Sequence, residues 1–225
     1  MTETTQFFFI PGFALTGQMW APVTRVLGER ATALEIPGGL DFDAVVRSLA
    51  TGRTGIWVGY SMGGRIALRL ALDHPTSTKG LVLISATAGI AEPAARRKRR
   101  EQDEKLATDI ETRGVDWFLD YWTSLPLFRT TRRDRADRIR DAGQIADQLR
   151  RLGQGVQRPD WSRLAELNAP VLVVAGELDP AYAATARALG EAIGDNATVS
   201  IVPGAGHAVV HEAPGLVAEM VTALG

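Results

Sequence analysis

The stretch GYSMG at residues 59–63 places a serine, Ser61, between two glycines. It follows the apolar run GIWVGY and precedes the helical pattern MGGRIALRLAL, so a strand-to-helix turn would carry the hydroxyl. Gly59 and Gly63 leave room for a tight turn, and the amino end of a helix favours a developing negative charge. A serine here can also be an N-cap in a glycine-rich turn. The stretch alone therefore leaves a nucleophile and a cap both open.

A base and an orienting carboxylate for Ser61 are found far along the chain. Of the three histidines, His207 follows the last predicted strand, whereas His74 ends the helix after Ser61 and His211 opens the last predicted helix, positions where structural roles are more common. Asp179, in GELDP, follows the preceding strand. The order serine, aspartate, histidine, each after a different strand, is the triad order of α/β-hydrolases. We predict that Asp179 orients His207 and that His207 takes the Ser61 proton.

An oxyanion site should lie beside this serine. Its expected donors are the backbone N–H groups of Met62, at the start of the helix, and Phe13, in the loop after the first strand. Gly12 would let that loop approach the serine closely.

Six short, almost wholly apolar runs alternate with helical patterns and must position these groups. They are residues 6–10, 31–36, 55–60, 80–85, 171–176 and 198–202. Continuous apolar runs are typical of parallel strands covered on both faces, and the alternation predicts a compact, mostly parallel, doubly wound α/β sheet. Residues 89–160 contain no strand candidate and predict a helical cap, inserted after the strand at 80–85 into a core of residues 1–88 and 161–225.

Composition excludes several classes of function. The formal net charge is −1, which does not favour bulk binding to nucleic acid or an anionic membrane. Cysteine is absent, so there is no thiolate zinc site, and the histidines lack metal-ligand spacing. No nucleotide-binding glycine motif follows a strand, so no cofactor is expected. The first apolar run ends at Pro11 without a basic leader, which favours a cytoplasmic protein.

The segments GYSMGGRIAL, RRKRREQDEKLATDIETRG, WFLDYWTSLPLF, GELDPAYAATARAL and VPGAGHAVVHEAP resemble the α/β-hydrolase superfamily. Within it, they are most similar to the 2-succinyl-6-hydroxy-2,4-cyclohexadiene-1-carboxylate synthases of menaquinone biosynthesis. This resemblance implies a lyase in which the serine removes a substrate proton, pyruvate is eliminated, and arginines bind the substrate's carboxylates. It assigns substrate binding to five residues: Tyr60, Arg65, Arg99, Trp122 and Arg138. One departure is Pro11, where the family usually has a histidine before the oxyanion glycine.

Helical periodicity in the cap supports one of these residues independently. From Pro93 to Gly114, the side chains of Arg99 and Asp103 share a helix face with Leu106 and Ile110, so Arg99 should face the protein body. Residues 92–160 carry a net charge of +3 and the remainder −4, which suits an anionic substrate. The run RRKRR as a whole also fits a solvated surface helix. Arg65 could likewise form a structural ion pair, and Trp122 could be a core residue.

Two alternative functions remain open from the sequence. One is a serine carboxylesterase or thioesterase, similar to the pimeloyl-carrier-protein methyl esterases, because IWVGYSMGGRIALRLALDHP fits that family nearly as well. The other is a ligand receptor that keeps the hydrolase fold without using its triad.

Overall fold

A parallel six-stranded sheet forms the centre of the computed structural model, which describes residues 5–128 and 136–225. The strands are β1 (Phe7–Ile10), β2 (Ala31–Ala33), β3 (Gly55–Tyr60), β4 (Thr78–Ile84), β5 (Val171–Gly176) and β6 (Ala197–Val202). Their order is β2-β1-β3-β4-β5-β6, and every neighbouring pair is parallel. The predicted doubly wound α/β fold is confirmed. The edge strand β2 is shorter than expected, ending at Ala33 before the Pro37-Gly38-Gly39 turn.

Helices cover both faces of the sheet. They are α1 (Ala21–Leu27), α2 (Phe42–Ala50), α3 (Met62–Asp73), α4 (Pro93–Ser124), α5 (Ala142–Leu152), α6 (Pro180–Ile193), α7 (Val209–Glu212) and α8 (Pro214–Thr222). Strand residues alternate between two cores: Phe8 and Trp57 pack toward α2, α3 and α6, whereas Phe9 and Val58 pack toward α1, α7 and α8. Because both faces are buried, each strand reads as a continuous apolar run. No described helix combines the length and apolarity needed to cross a membrane.

Helices α4 and α5 lie between β4 and β5 in the chain, and we call them the cap. Helix α4 is broken at Gly114, whose φ of 85° and ψ of 173° are not helical, and a second helical stretch then continues to Ser124. The predicted stop at Gly114 is therefore a kink. The cap has its own apolar cluster, in which Ile110 and Phe118 of α4 meet Ile145 and Leu149 of α5.

The strand order reverses at β1, because β2 and β3 lie on opposite sides of it. In open parallel sheets, a crevice forms outside the carboxyl ends of the strands at such a point. Phe13 follows β1 and Ser61 follows β3, so both loops open into this crevice. Asp179 and His207 follow β5 and β6 at the same edge.

A buried arginine on α3, Arg69, holds residues 158–160, which follow the cap, against the core. Arg69 donates from Nε to Asp160 Oδ1 at 2.8 Å, from Nη1 to Asp43 Oδ1 at 3.0 Å and from Nη2 to the Arg158 carbonyl at 3.0 Å. Arg69 and Asp160 are 4% and 1% exposed. Burial raises the pKa of the Asp160 carboxyl, an effect that the hydrogen bond from Arg69 opposes.

We predict that Arg69→Met lowers the free energy of unfolding by about 3–5 kcal/mol at pH 7, because Asp160 is left as a buried, uncompensated charge. Without Arg69, the pKa of Asp160 in the folded state rises further above its unfolded value. The folded state then binds more protons than the unfolded state, so its stability falls as pH rises. Urea unfolding at pH 5 and pH 7 should show a smaller deficit at pH 5. An equal loss at both pH values would contradict this account, and adding Asp160→Asn should recover part of the stability.

Candidate active site

Ser61 occupies a strained turn between β3 and α3. Its backbone has φ 51° and ψ −108°, and its N–H donates to the Ile84 carbonyl at 2.8 Å. A Cβ on Gly63 would overlap the carbonyl oxygens of Ile10 and Pro11, and one on Gly59 would overlap the carbonyl of Gly63. The Ser61 side chain makes no capping bond to the helix. The hydroxyl is therefore turned away from the helix end and toward the crevice.

His207 stands between Ser61 and Asp179. Its Nε2 lies 3.3 Å from Ser61 Oγ and its Nδ1 lies 2.8 Å from Asp179 Oδ2. Because a carboxylate accepts at Nδ1, that nitrogen carries the proton and Nε2 presents a lone pair to the serine. The side chains of His207 and Asp179 are 2% and 5% exposed. This arrangement lets the imidazole accept the serine proton and lets the carboxylate stabilise the resulting cation.

Backbone bonds hold both ends of this arrangement. Asp179 is the N-cap of α6, where its Oδ1 accepts the Tyr182 N–H at 3.2 Å. Ser85, directly after β4, donates its hydroxyl to the His207 carbonyl at 2.7 Å. Ser85 is 1% exposed and has φ 49°. The sequence analysis did not identify Ser85, because only the folded sheet brings the loop after β4 beside the loop after β6.

The two expected oxyanion donors border Ser61. Met62 is the first residue of α3, so its N–H has no acceptor within the helix. On either side of Phe13, the Gly12 N–H donates to Met19 Sδ at 3.4 Å and the Ala14 N–H to Gln148 Oε1 at 3.0 Å. Within residues 5–128 and 136–225, the Phe13 N–H has no acceptor. Both donors can thus serve a developing oxyanion.

A cavity of about 100 Å³ opens beside Ser61 under the cap. Its wall contains these residues that the sequence predicts for the site: Phe13, Met62, Arg65, Arg99 and Trp122. Residues that the sequence analysis missed complete it: Leu127, Phe128, Gln148, Leu149, Gly153, Gln154 and Tyr182. We call this space the arginine cavity. The Tyr182 ring lies edge-on to His207 with centroids 4.4 Å apart, and its hydroxyl accepts from Gln154 Nε2 at 3.2 Å.

Arg65 is buried in the wall of the arginine cavity, 5% exposed. It donates from Nη1 to Gln157 Oε1 at 2.7 Å and from Nη2 to the Leu152 carbonyl at 2.8 Å. Among the described residues, no carboxylate lies within ion-pair distance of its guanidinium, which argues against the structural ion pair. Burial lowers the pKa of Arg65 to about 10. A buried cation held only by neutral groups favours an anionic ligand.

Arg99 lines the same cavity from α4, on the helix face that the periodicity indicates. Its Nε donates to Asp103 Oδ1 at 2.7 Å and its Nη1 to Gln154 Oε1 at 3.1 Å. The other Asp103 oxygen, Oδ2, is buried and accepts no hydrogen bond from the described chain. The cavity wall therefore holds two arginines, of which only Arg99 is paired with a carboxylate in the described chain, and positive charge is in excess.

A smaller cavity of about 30 Å³ lies on the other side of Ser61. Its wall includes the expected residues Tyr60, Trp122 and Arg138, together with His211. His211 Nε2 lies 3.3 Å from Asp137 Oδ2. We call this space the tyrosine cavity.

The expectation that His211 opens the last helix is wrong. His211 lies inside the one-turn helix α7, and α8 begins at Pro214. The residue before a proline avoids helical backbone, so Ala213 separates the two helices. Its backbone has φ −136° and ψ 53°. Helix α7 thereby turns the His211 side chain toward the tyrosine cavity.

Comparisons with known proteins agree with this architecture. A family model described as "Alpha/beta hydrolase family" matches residues 7–220. A Bacillus subtilis protein, named provisionally as a 2-succinyl-6-hydroxy-2,4-cyclohexadiene-1-carboxylate synthase, is 36% identical over 73% of this chain, and the match spans 63% of that relative's length. The synthase of that name from Enterobacter sp. is 29% identical over 93% of this chain and 87% of its own. The solved structure of MenH from S. aureus superimposes with a TM-score of 0.91 at 25% identity, covering 99% of this chain and 94% of that one.

We predict that Asp179→Asn slows the reaction of Ser61 with a fluorophosphonate by about 10³- to 10⁴-fold, because the amide no longer favours the Nδ1–H tautomer of His207. Second-order labelling rates, read by mass spectrometry of the Ser61 peptide, measure the effect. Asp195→Asn is the matched control, since Asp195 is an exposed carboxylate in the turn after α6. Equal labelling of Asp179→Asn and wild type would contradict an orienting role for Asp179.

Proposed function

The chain belongs to the alpha/beta hydrolase family, and from this premise we propose that it is a lyase of the 2-succinyl-6-hydroxy-2,4-cyclohexadiene-1-carboxylate synthase kind. Its substrate would be a small, carboxylate-rich intermediate of the menaquinone route that carries an enolpyruvyl group. The relatives' names and the close superposition on MenH support this proposal. In the reaction, loss of one proton and of pyruvate creates the new double bond of the cyclohexadiene.

The observation that carries the proposal is the uncompensated charge beside Ser61. Arg65 is buried without a carboxylate partner in the described chain, and Arg99, in the same cavity, is paired with Asp103. Guanidinium groups bind carboxylates through paired, charge-assisted hydrogen bonds. A substrate carboxylate in the arginine cavity would supply the missing negative charge. The site thus suits an anion and is poorly matched to a neutral acyl chain.

In the proposed mechanism, His207 and Asp179 make the Ser61 hydroxyl a base toward carbon. His207 Nε2 takes the Ser61 proton while Ser61 Oγ removes a proton from a substrate carbon. The electron pair of that C–H bond forms the new double bond, and the C–O bond to the enolpyruvyl group breaks. Pyruvate leaves as its enolate and is protonated on carbon. No covalent bond to the serine forms, so the same triad serves elimination instead of acyl transfer.

The remaining groups have roles set by their positions. The N–H groups of Phe13 and Met62 would stabilise the negative charge that develops on a substrate oxygen conjugated with the reacting carbon. Arg138 and Tyr60 border the tyrosine cavity, which would receive a carboxylate on the other side of Ser61. Trp122 borders both cavities and would pack against the ring between them. The substrate then spans both cavities with its reacting C–H group at Ser61.

The alternatives from the sequence make different demands on the site. A carboxylesterase or thioesterase needs the triad and the oxyanion donors but gains nothing from a buried, unpaired arginine acting on a neutral ester. Burying that charge costs free energy that a neutral substrate does not return. A receptor with an idle triad needs neither the strained turn at Ser61 nor the bond from Ser85 to His207.

We predict that Arg65→Met and Arg99→Met each lower kcat/KM for pyruvate release by about a hundredfold. A charge-assisted hydrogen bond to a carboxylate contributes about 1.5–3 kcal/mol, and each arginine can form two. Pyruvate is measured with a coupled lactate dehydrogenase assay on the enolpyruvyl intermediate, beside turnover of a short neutral ester. Turnover of the ester, which carries no carboxylate, should fall less than threefold in either variant.

The matched control is Arg97→Ala, which removes one positive charge from an exposed position two residues before Arg99 on the same helix. It should leave pyruvate release unchanged. Full pyruvate release by both Met variants would refute carboxylate binding in the arginine cavity. Ester hydrolysis without pyruvate release by the wild type would instead establish the esterase alternative.

A further inference from the structure

The oxyanion loop, residues 12–16, is attached to the cap and to residues 137–139, which lead into α5. The Ala14 carbonyl accepts the Ile139 N–H at 3.0 Å, and the Thr16 N–H donates to the Asp137 carbonyl at 2.8 Å, around a short antiparallel bridge between Leu15 and Arg138. The Phe13 ring packs edge-on against Phe118 and Trp122 of α4, with centroids 5.7 Å and 5.1 Å apart. Ala14 is fully buried in the apolar cluster of the cap.

One side chain completes this attachment. Gln148, on α5, is 4% exposed. Its Oε1 accepts the Ala14 N–H at 3.0 Å, although the two residues lie 134 positions apart in the chain. Ala14 has φ 57°, in the left-handed region that residues other than glycine avoid. An external bond is therefore needed to hold the loop in this conformation. The peptide that Gln148 fixes directly follows Phe13, whose own N–H is left without an acceptor in the described chain.

We propose that Gln148 is a positioning residue for the oxyanion hole. By accepting the Ala14 N–H, it holds the left-handed turn that aims the Phe13 N–H at the reacting oxygen. The cap then determines the position of the Phe13 N–H, and the oxyanion hole is complete only when α5 packs over the sheet. This inference rests on the oxyanion role proposed for Phe13 and Met62, and it does not depend on which leaving group departs.

The Gln148 side chain also lines the arginine cavity. Since Oε1 faces the Ala14 N–H, the amide nitrogen is directed elsewhere, and the cavity is the space beside it. A carboxylate at this position could still accept the Ala14 N–H, but it would place a negative charge beside an anionic substrate. The two roles of Gln148, holding the loop and facing the substrate, can therefore be separated by one substitution.

The test compares Gln148→Met, which removes the acceptor at nearly constant length, with Gln148→Glu, which keeps it. Fluorophosphonate labelling of Ser61 measures the oxyanion hole without any carboxylate, and pyruvate release measures kcat and KM with the anionic substrate. We expect Gln148→Met to slow labelling and to lower kcat for pyruvate release by about 10²-fold, the usual effect of losing an oxyanion donor, with little change in KM. Gln148→Glu should label within about threefold of wild type while its KM for the anionic substrate rises at least tenfold.

The matched control is Gln144→Met, at an exposed position one helical turn earlier on α5, which should change neither reaction. Thermal unfolding of each variant reports whether it folds. If Gln148→Met does not fold, Gln148→Asn takes its place, because its amide is one methylene too short to reach Ala14. Unchanged labelling in the acceptor-free variant, or equal loss in Gln148→Glu, would overturn the proposal.

The outcomes also separate this inference from the proposed reaction. If the wild type labels at Ser61 but releases no pyruvate, the lyase proposal is contradicted. The labelling rates of the Gln148 variants then still decide the role of Gln148. A wild type that does not label at Ser61 would overturn both.

Discussion

The close approach of helix α3 to strands β1 and β3 is the constraint on which the site depends. Gly59 and Gly63 allow this approach, since a Cβ on either would overlap neighbouring backbone. The turn leaves Ser61 with a left-handed backbone, which costs on the order of 1–2 kcal/mol. In the described chain, the other residues besides glycine with positive φ are Ala14 and Ser85, after β1 and β4. Strain is thus concentrated at the carboxyl edge of the sheet, where buried hydrogen bonds hold it.

The charged groups of the site are divided between the sheet and the cap. The sheet side supplies the triad, in which Asp179 balances the cation that forms on His207, so no net charge is needed from outside. The wall of the arginine cavity contains Arg65 from α3 and Arg99 from α4; Asp103 of α4 pairs with Arg99, and an excess of positive charge remains. Because Arg65 is buried, its charge acts more strongly on an anion that enters the cavity than it would in water. The positive charge available to an anionic ligand therefore lies where the cap meets the core.

The parts of the site that the sequence predicted are those determined by short stretches of chain. The strands are recognisable because both faces of the sheet are buried, and Ser61, Asp179 and His207 each stand in the short connection that follows a strand. Arg99 could be placed on the inner face of its helix by periodicity alone. Gln148, Tyr182 and Ser85 could not be identified, because their positions depend on how α5, α6 and β4 meet in space. His211 was misplaced because the break at Ala213 shifts the start of the last helix.

These features together indicate what decides between attack on a carbonyl and removal of a proton. The geometry of Ser61, His207 and Asp179 is compatible with both, since each begins with transfer of the serine proton to Nε2. What differs is the substrate atom that stands opposite Ser61 Oγ. In the proposed reaction, the groups that hold this atom in place are Arg65 and Arg99 in one cavity and Arg138 in the other. A substrate held in this way by carboxylates at both ends would present a C–H group, instead of a carbonyl carbon, to the hydroxyl. In this proposal the arginines and the cap determine the reaction type, and the same triad can serve either reaction.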